Sequence, residues 1–376
     1  MRLLHLGDLH FGKRINTLSL LEDQQFICDR ILEVIDSENV DAVMICGDVY
    51  DKSVPAEEAV SMLDDFLYKL SLRQKPVMIV SGNHDSVERL SFGDRIIQAS
   101  GIYISPRYDG KVRKVVLSDE YGDVSFYLLP FVKPATVRAY FPDKQTETYT
   151  QAAAAAIEQM NVNPEERNVI LSHQFVTGAG ASGSEDELSV GGITNVDSSV
   201  YDVFDYAALG HIHGPQFVGR ETLRYCGSPM KFSFNEEKQN KELTIVNLGK
   251  KGSVTVESIP LEPMRDFVTI KGKYDELMLG RPDVRAQDFV RAVLLDEDDV
   301  PNAYSNLAQV YPNIISLAYD NRRTRNTDVT DGGEIDVEVS PYELFESFYM
   351  TRNSREMSAE QAEYVKQLIQ RIWEEQ

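Results

Sequence analysis

Cysteine is scarce in this chain of 376 residues: Cys28, Cys46 and Cys226 are the three, and no two are spaced as CxxC. That argues against a zinc ribbon and disulfides, and buried free thiols in a reducing cytoplasm are expected instead. No charge-free apolar run approaches the roughly 20 residues needed to cross a bilayer. The sequence enters a strand pattern at 2–6, which leaves no room for a signal peptide, so the expected location is cytoplasmic, with no membrane. Cations are also in deficit, since 38 Lys and Arg stand against 60 Asp and Glu, a net charge of −22. Grip on a phosphate backbone comes mostly from Lys and Arg, so this balance counts against tight unaided binding to a polyanion. Bound divalent cations would reverse the field locally, and a basic partner could supply the rest.

Histidine is sparse too, yet its placement is informative. Five of the six histidines lie in short turns: Gly7-Asp8-Leu9-His10, Gly82-Asn83-His84-Asp85, Ser172-His173 and Gly210-His211-Ile212-His213, with Gly47-Asp48-Val49-Tyr50-Asp51 as a fifth turn of the same kind. Each follows an apolar, strand-like run, so polar groups recur where buried strands end, the edge at which open α/β sheets bind ligands. The sixth, His5, lies inside a strand and is expected as a packed core residue.

From 1 to about 100, strand-length runs alternate with amphipathic stretches at 20–35, 55–72 and 89–99, which predicts βαβ units. A hairpin is expected from 112–117 and 124–129, then a loop over 133–150, then a helix over 152–160. The strand before His173 is read as resuming the parallel sheet, and 177–192, rich in Gly and Ser, as a mobile loop. Strands at 222–225, 243–247 and 253–259 are expected to complete a second sheet, with Pro260 and Pro263 at a boundary. Beyond it, strands at 267–271 and 291–295, helical stretches around Ala286 and at 304–310, and an end near Tyr319 predict a small α+β module. The resulting division is 1–260, 261–320, a polar linker over 321–339, and helices over 340–376 opened by Ser340-Pro341-Tyr342-Glu343 and Ser358-Ala359-Glu360-Gln361, both capping-box patterns. Ala362, Val365, Ile369 and Ile372 form a stripe on the second helix; the two helices could pack on their own domain, but their isolation behind a polar linker favours a partner.

Asp8 and His10 are two apart, as are His211 and His213, so in extended backbone each pair projects to one side and can chelate. With Asp48, Asn83 and His173 they make seven candidate ligands, too many for one tetrahedral ion but enough for two ions about 3.5–4 Å apart sharing a carboxylate. Asp48, alone in its turn, is the natural bridge. Imidazole, carboxylate and amide oxygen without thiolate suit Mn²⁺, Fe²⁺ or Zn²⁺ and suit Ca²⁺ poorly. His84 is left over as an imidazole that can orient a phosphate and protonate the leaving oxygen. Asp51 could hold its far nitrogen; Asp51 and Asp85 could equally cap helices or accept supporting hydrogen bonds.

The motifs DxH, GDxxD, GNHD, a lone His and GHxH, in that order, resemble the calcineurin-like metallophosphoesterase superfamily. The likeness is closest to its bacterial nuclease subunits at 4–13, 188–192, 208–213 and 225–229, and covers roughly the first 235 residues. It implies a two-sheet α/β sandwich with a small capping domain and C-terminal helices. One metal would be held by Asp8, His10, Asp48 and His213, the other by Asp48, Asn83, His173 and His211, with His84 catalytic. The implied activity is Mn²⁺-dependent cleavage of DNA, exonucleolytic on duplex ends and endonucleolytic on hairpin or single-stranded DNA, by two-metal activation of water. It also implies a homodimer within a heterotetramer, joined to an SbcC-type ATPase through 340–376 in DNA repair and recombination. Lys133, Arg138 and Tyr140, with Phe141, have the basic and aromatic content of a DNA contact. The competing expectations are a phosphoesterase acting on a small molecule or phosphoprotein, which needs no long C-terminal extension, and a silent scaffold, which predicts lost ligands.

Overall fold

The computed structural model of the protein describes residues 1–180, 195–322, 324, 342, 345–347, 349–350 and 357–375, with side chains described to Ile369. Two six-stranded sheets lie face to face. The first runs, edge to edge, Val254–Pro260, Glu242–Leu248, Arg2–Leu6, Ala42–Cys46, Val77–Val80 and Ile102–Ile104. From Arg2–Leu6 to Ile102–Ile104 the strands are parallel, and Glu242–Leu248 is antiparallel to Arg2–Leu6. The second sheet runs Gln216–Val218, Arg220–Tyr225, Tyr206–Gly210, Arg167–His173, Gly122–Leu129 and Arg113–Asp119.

Side chains in a strand alternate between faces, and the strands here are apolar on both. Leu3, Met44, Met78, Phe126, Leu171 and Ala208 fill the layer between the sheets. Leu4, Val43 and Val77 face outward, onto Ile27, Ile31, Leu63 and Phe66 of the helices Leu21–Ser37 and Glu57–Leu72. Each such fully buried side chain contributes about 1.5–3 kcal/mol. Tyr127, Ile170 and Ala207 pack on the helix Tyr149–Glu158, whose buried face is mostly alanine and so lets it lie close to the sheet.

A smaller unit follows, in which Phe267–Gly272, Phe289–Leu294 and Ile314–Tyr319 form a parallel three-stranded sheet with its own core around Leu277, Ala292 and Leu307. Phe267 and Phe289 also enter the core beneath the first helix, and Arg265 Nε donates to Asp23 Oδ1 of that helix at 2.9 Å.

Several sequence expectations are corrected. Leu243 to Asn247 and Val254 to Ile259 extend the first sheet rather than the second, the former pairing with Arg2–Leu6 across most of the chain and the latter with the former, while Arg167–His173 belongs to the second sheet. The stretch 89–99 is broken by Gly93 at φ 76°, leaving the short helices Val87–Leu90 and Asp94–Ile97 before a final tight turn. The loop expected over 133–150 contains the helix Pro134–Arg138, and Thr148 and Gln151 form a capping box for Tyr149–Glu158. Around Ala286 there is no helix, because the Asp288 carboxylate takes the backbone N–H of Arg285 (3.0 Å) and of Asp266 (2.9 Å) and holds the chain in turns. The expected loop 177–192 lies outside the described residues from 181, as do most of the linker and the first C-terminal capping box. The second capping box is formed: Gln361 N donates to Ser358 Oγ at 3.2 Å and Ser358 N to Gln361 Oε1 at 2.9 Å, opening the helix Ala359–Glu375. Among the described residues no helix is long and apolar enough to cross a membrane.

Candidate metal centre

All five motif turns meet at the carboxyl edge of the two sheets, three from the first and two from the second. The turns after Arg2–Leu6 and Ala42–Cys46 run side by side: Asp8 N donates to Gly47 O (3.0 Å), His10 N to Asp48 O (2.9 Å) and Phe11 N to Val49 O (2.9 Å). Asp85 fastens them to the third turn by accepting from Val49 N, Tyr50 N and Gly82 N at 2.9–3.1 Å. The Asp8 carboxylate takes His211 N from the opposite sheet at 2.9 and 3.1 Å. Asp8, His10, Asp48 and His211 all have positive φ, at 54°, 44°, 47° and 102°. Such backbone costs about 1–3 kcal/mol per residue and persists where the surroundings over-determine it, as at functional sites.

The side chains so held form two buried triads, Asp8 with His10 and His213, and Asp48 with His173 and His211, each with ligand atoms within 4.8 Å of one another. Asp48 lies between them: its Oδ2 is 3.3 Å from His173 Nε2 and 3.7 Å from His10 Nε2. Asn83 Oδ1 sits 3.0 Å from both His173 Nε2 and His211 Nδ1. His173 Nδ1 donates to the Cys46 carbonyl at 2.7 Å, which leaves Nε2 facing the centre.

Burial pushes the Asp8 carboxyl up to about 6. Burial works the same way on Asp48, but His173, His84 and His10 outweigh it and hold that carboxyl well below its usual range. Burial drives His10 well down, and burial with the neighbouring His173 drives His211 to about 3. Burial also opposes protonation of His173, yet the Asp48 charge beside it prevails and lifts it to about 9. Buried imidazoles that shun protons present lone pairs, the form in which histidine binds metal. His10 Nε2 and His213 Nε2 face each other at 3.1 Å, with Asp48 Oδ2 3.7 Å from the former, so donor atoms converge where a cation would satisfy them. This N/O donor set fits two divalent cations.

His84 differs from these groups in exposure, 20% against 7% or less for the histidines and aspartates of the triads. Its Nε2 lies 3.9 Å from Asp48 Oδ2, and its Nδ1 meets the backbone carbonyl of Asp51 at 3.1 Å. The Asp51 carboxylate turns instead to Lys13 Nζ at 2.8 Å, 3.8 Å from His10 Nδ1. His5 is fully buried, with Nδ1 2.9 Å from Tyr206 Oη, and stands apart from the cluster.

Lys133, Arg138 and Tyr140 lie on the segment that leaves the centre at Phe131, whose ring packs edge-on against His173. Arg138 Nη2 donates to Thr146 O at 3.2 Å, and Tyr140 packs on Tyr108 at the rim of a cavity of about 510 Å³ lined also by Lys111, Lys114 and Phe141.

Sequence reasoning missed the residues behind the ligands. Gln24 Nε2 donates to His10 O at 2.6 Å, and Glu236, fully buried, lies 3.1 Å from His213 Nδ1. No motif signals either one, and Glu236 stands in the charged run Asn235-Glu236-Glu237-Lys238.

Residues 1–215 match the family described as calcineurin-like phosphoesterase. The chain belongs to that family. Residues 263–353 match a second, described as the Type 5 capsule protein repressor C-terminal domain. The phosphoesterase chain is similar over its length to the SbcD subunit of the SbcCD nuclease of Staphylococcus epidermidis, at 30% identity covering 98% of both chains. The SbcD subunit from Staphylococcus saprophyticus subsp. saprophyticus is 29% identical, covering 100% of this chain and 99% of the other. As a phosphoesterase with both triads complete, the chain is a metallophosphoesterase-type hydrolase and a homologue of these nuclease subunits.

Proposed function

We propose that the protein is the Mn²⁺-dependent nuclease subunit of an SbcC-type ATPase complex, cutting DNA phosphodiesters at duplex ends and in hairpin or single-stranded DNA during repair and recombination. The observation that carries this reading is the pair of buried triads facing each other across Asp48, in a chain similar over its length to nuclease subunits. Asp8, His10, His213 and Asp48 would hold one ion, and Asp48, Asn83, His173 and His211 the other. Bound there, two such cations would supply Lewis acidity for displacement at a phosphodiester.

His84 does the proton work. In the protonated ring, Nδ1–H is donated to the Asp51 carbonyl and fixes the ring, while Nε2–H lies at the centre, 3.9 Å from Asp48 Oδ2. There it orients a phosphoryl oxygen and gives a proton to the leaving oxygen, a contribution of about 10²–10⁴-fold. Asp51 serves through its backbone, and its carboxylate anchors Lys13.

Residues 106–114 and 131–142 carry Arg107, Lys111, Arg113, Lys114, Lys133 and Arg138 against one acid, Asp109, a basic island in a chain of net charge −22, although Arg107 and Arg113 pair with Glu88 and Asp94 from a neighbouring segment. Lys133, Arg138 and Tyr140 on this island would contact the strand leaving the centre, with most of the remaining grip supplied by the ATPase. We assign 1–260 to the nuclease domain, 261–320 to a capping domain, 321–339 to a linker and 340–376 to ATPase docking, in a homodimeric nuclease core. With Mn²⁺ and an SbcC-type partner the chain should degrade linear duplex DNA, and Asp48→Ala or EDTA should abolish this. Full cleavage by Asp48→Ala would show the assigned site to be wrong. Hydrolysis of a chromogenic phosphodiester without DNA cleavage would favour the small-molecule phosphoesterase.

A further inference from the structure

Glu236 is fully buried and both its oxygens are engaged. Oε1 lies 3.1 Å from His213 Nδ1 and accepts from Phe232 N at 3.3 Å; Oε2 takes Lys241 Nζ at 2.5 Å and Ser228 Oγ at 3.3 Å. Lys241 Nζ also reaches the His213 carbonyl at 2.9 Å and Ser228 Oγ at 2.7 Å. An ionised carboxylate only accepts hydrogen bonds, so the proton of a neutral His213 sits on Nδ1 and the lone pair on Nε2. Nε2 is the atom that faces His10 within the triad that includes Asp8.

The segment carrying Glu236 is in turn gripped by the C-terminal unit. Glu237 accepts from Thr269 N at 2.8 Å and Thr269 Oγ1 at 2.6 Å. Lys231 Nζ bridges Glu237 O at 2.7 Å and Asp266 Oδ1 at 2.8 Å, and Phe234 packs edge-on against Phe267. A side chain that orients a metal-binding histidine is worth about 10–100-fold in metal affinity.

We infer that Glu236 is the positioning residue of this centre, fixing the ring and tautomer of His213 so that Nε2 binds metal, and that the C-terminal unit holds Glu236 in place through Thr269 and Asp266. The inference rests on the two-ion reading of the triads. It makes the C-terminal unit part of the apparatus that builds one ion site and leaves the other, held by Asp48, Asn83, His173 and His211, independent of it.

The test is a Mn²⁺ titration of the full chain, with bound ion followed by electron paramagnetic resonance and without any turnover. Glu236→Ala should weaken one of two equivalents by about 10–100-fold and spare the other. In a His213→Ala background it should add nothing. Should Glu236→Ala fail to fold, Glu236→Gln, which keeps an oxygen for Nδ1–H but leaves Lys241 without its counter-ion, should weaken the same equivalent by less. The double variant Asp266→Ala, Thr269→Val should weaken it too, and wild-type binding at both sites would overturn the role of the C-terminal unit. Two ions in the wild type that bind unchanged to Glu236→Ala, or that weaken together, overturn the positioning role while leaving the two-ion reading intact. Fewer than two ions in the wild type overturn that reading, and this assignment with it.

Discussion

Placing a methyl group on Gly47 tests how the two sheets are fitted together at the centre. Gly47 has φ 85°, and a Cβ there would stand 2.3 Å from His173 Nδ1 and 2.9 Å from Gly82 Cα. Gly47→Ala therefore carries two costs. Left-handed backbone for a residue with a Cβ costs about 1–2 kcal/mol. Overpacking against neighbours that cannot move freely adds about 1–3 kcal/mol. Gly252, in the turn between Glu242–Leu248 and Val254–Pro260, separates the two, because it has φ 79° and open space around its Cβ position. In urea unfolding, Gly252→Ala should lower stability by about 1–2 kcal/mol, and Gly47→Ala by about 2–5 kcal/mol, each as a fall in midpoint at unchanged slope. Gly47→Ala should also displace His173 from the Cys46 carbonyl and so weaken Mn²⁺ binding, which Gly252→Ala should leave alone. If the two variants unfold at the same midpoint and bind metal equally, the two sheets do not approach closely at His173 and the reasoning fails.

His84→Gln should keep both ions in the titration and lower kcat by about 10²–10⁴-fold; loss of an ion would make His84 a ligand. Deleting 340–376 should abolish co-elution with the ATPase and spare hydrolysis of a chromogenic phosphodiester, and an intact complex would refute docking through these helices. The Arg167 guanidinium beside Asp119, at 2.6 and 3.0 Å, holds that carboxyl well below its usual range. A depressed folded value means that its stabilisation is complete above the unfolded pKa of about 3.9 and drains away as pH falls below it. Urea midpoints of the wild type and Asp119→Asn should therefore differ most near neutral pH and converge in acid; a constant gap would assign the loss to packing.

The ligand turns were legible because each is local. Gly-Asp or Gly-Asn after four or five apolar residues marks a buried strand meeting a tight turn, and that pattern needs no distant partner. The helix expected around Ala286 and the loop expected over 133–150 were misread for the converse reason. The Asp288 carboxylate captures backbone N–H groups from two segments, and Pro134 begins a helical turn in what reads as a connection.

The order of the motifs and the residue types that make seven candidate ligands were legible in the sequence, since residue type and spacing suffice to state them. Which sheet each strand joins was decided only in three dimensions, as Leu243 to Asn247 shows by pairing with the first strand of the chain, because strand pairing depends on which surfaces must be buried and not on separation along the chain. Glu236 is a sharper case. In the sequence it is one acid in a charged run, and it becomes a buried partner of His213 because Lys241 and Ser228 are folded against it, as desolvating a carboxylate is tolerable only where such partners are already in place.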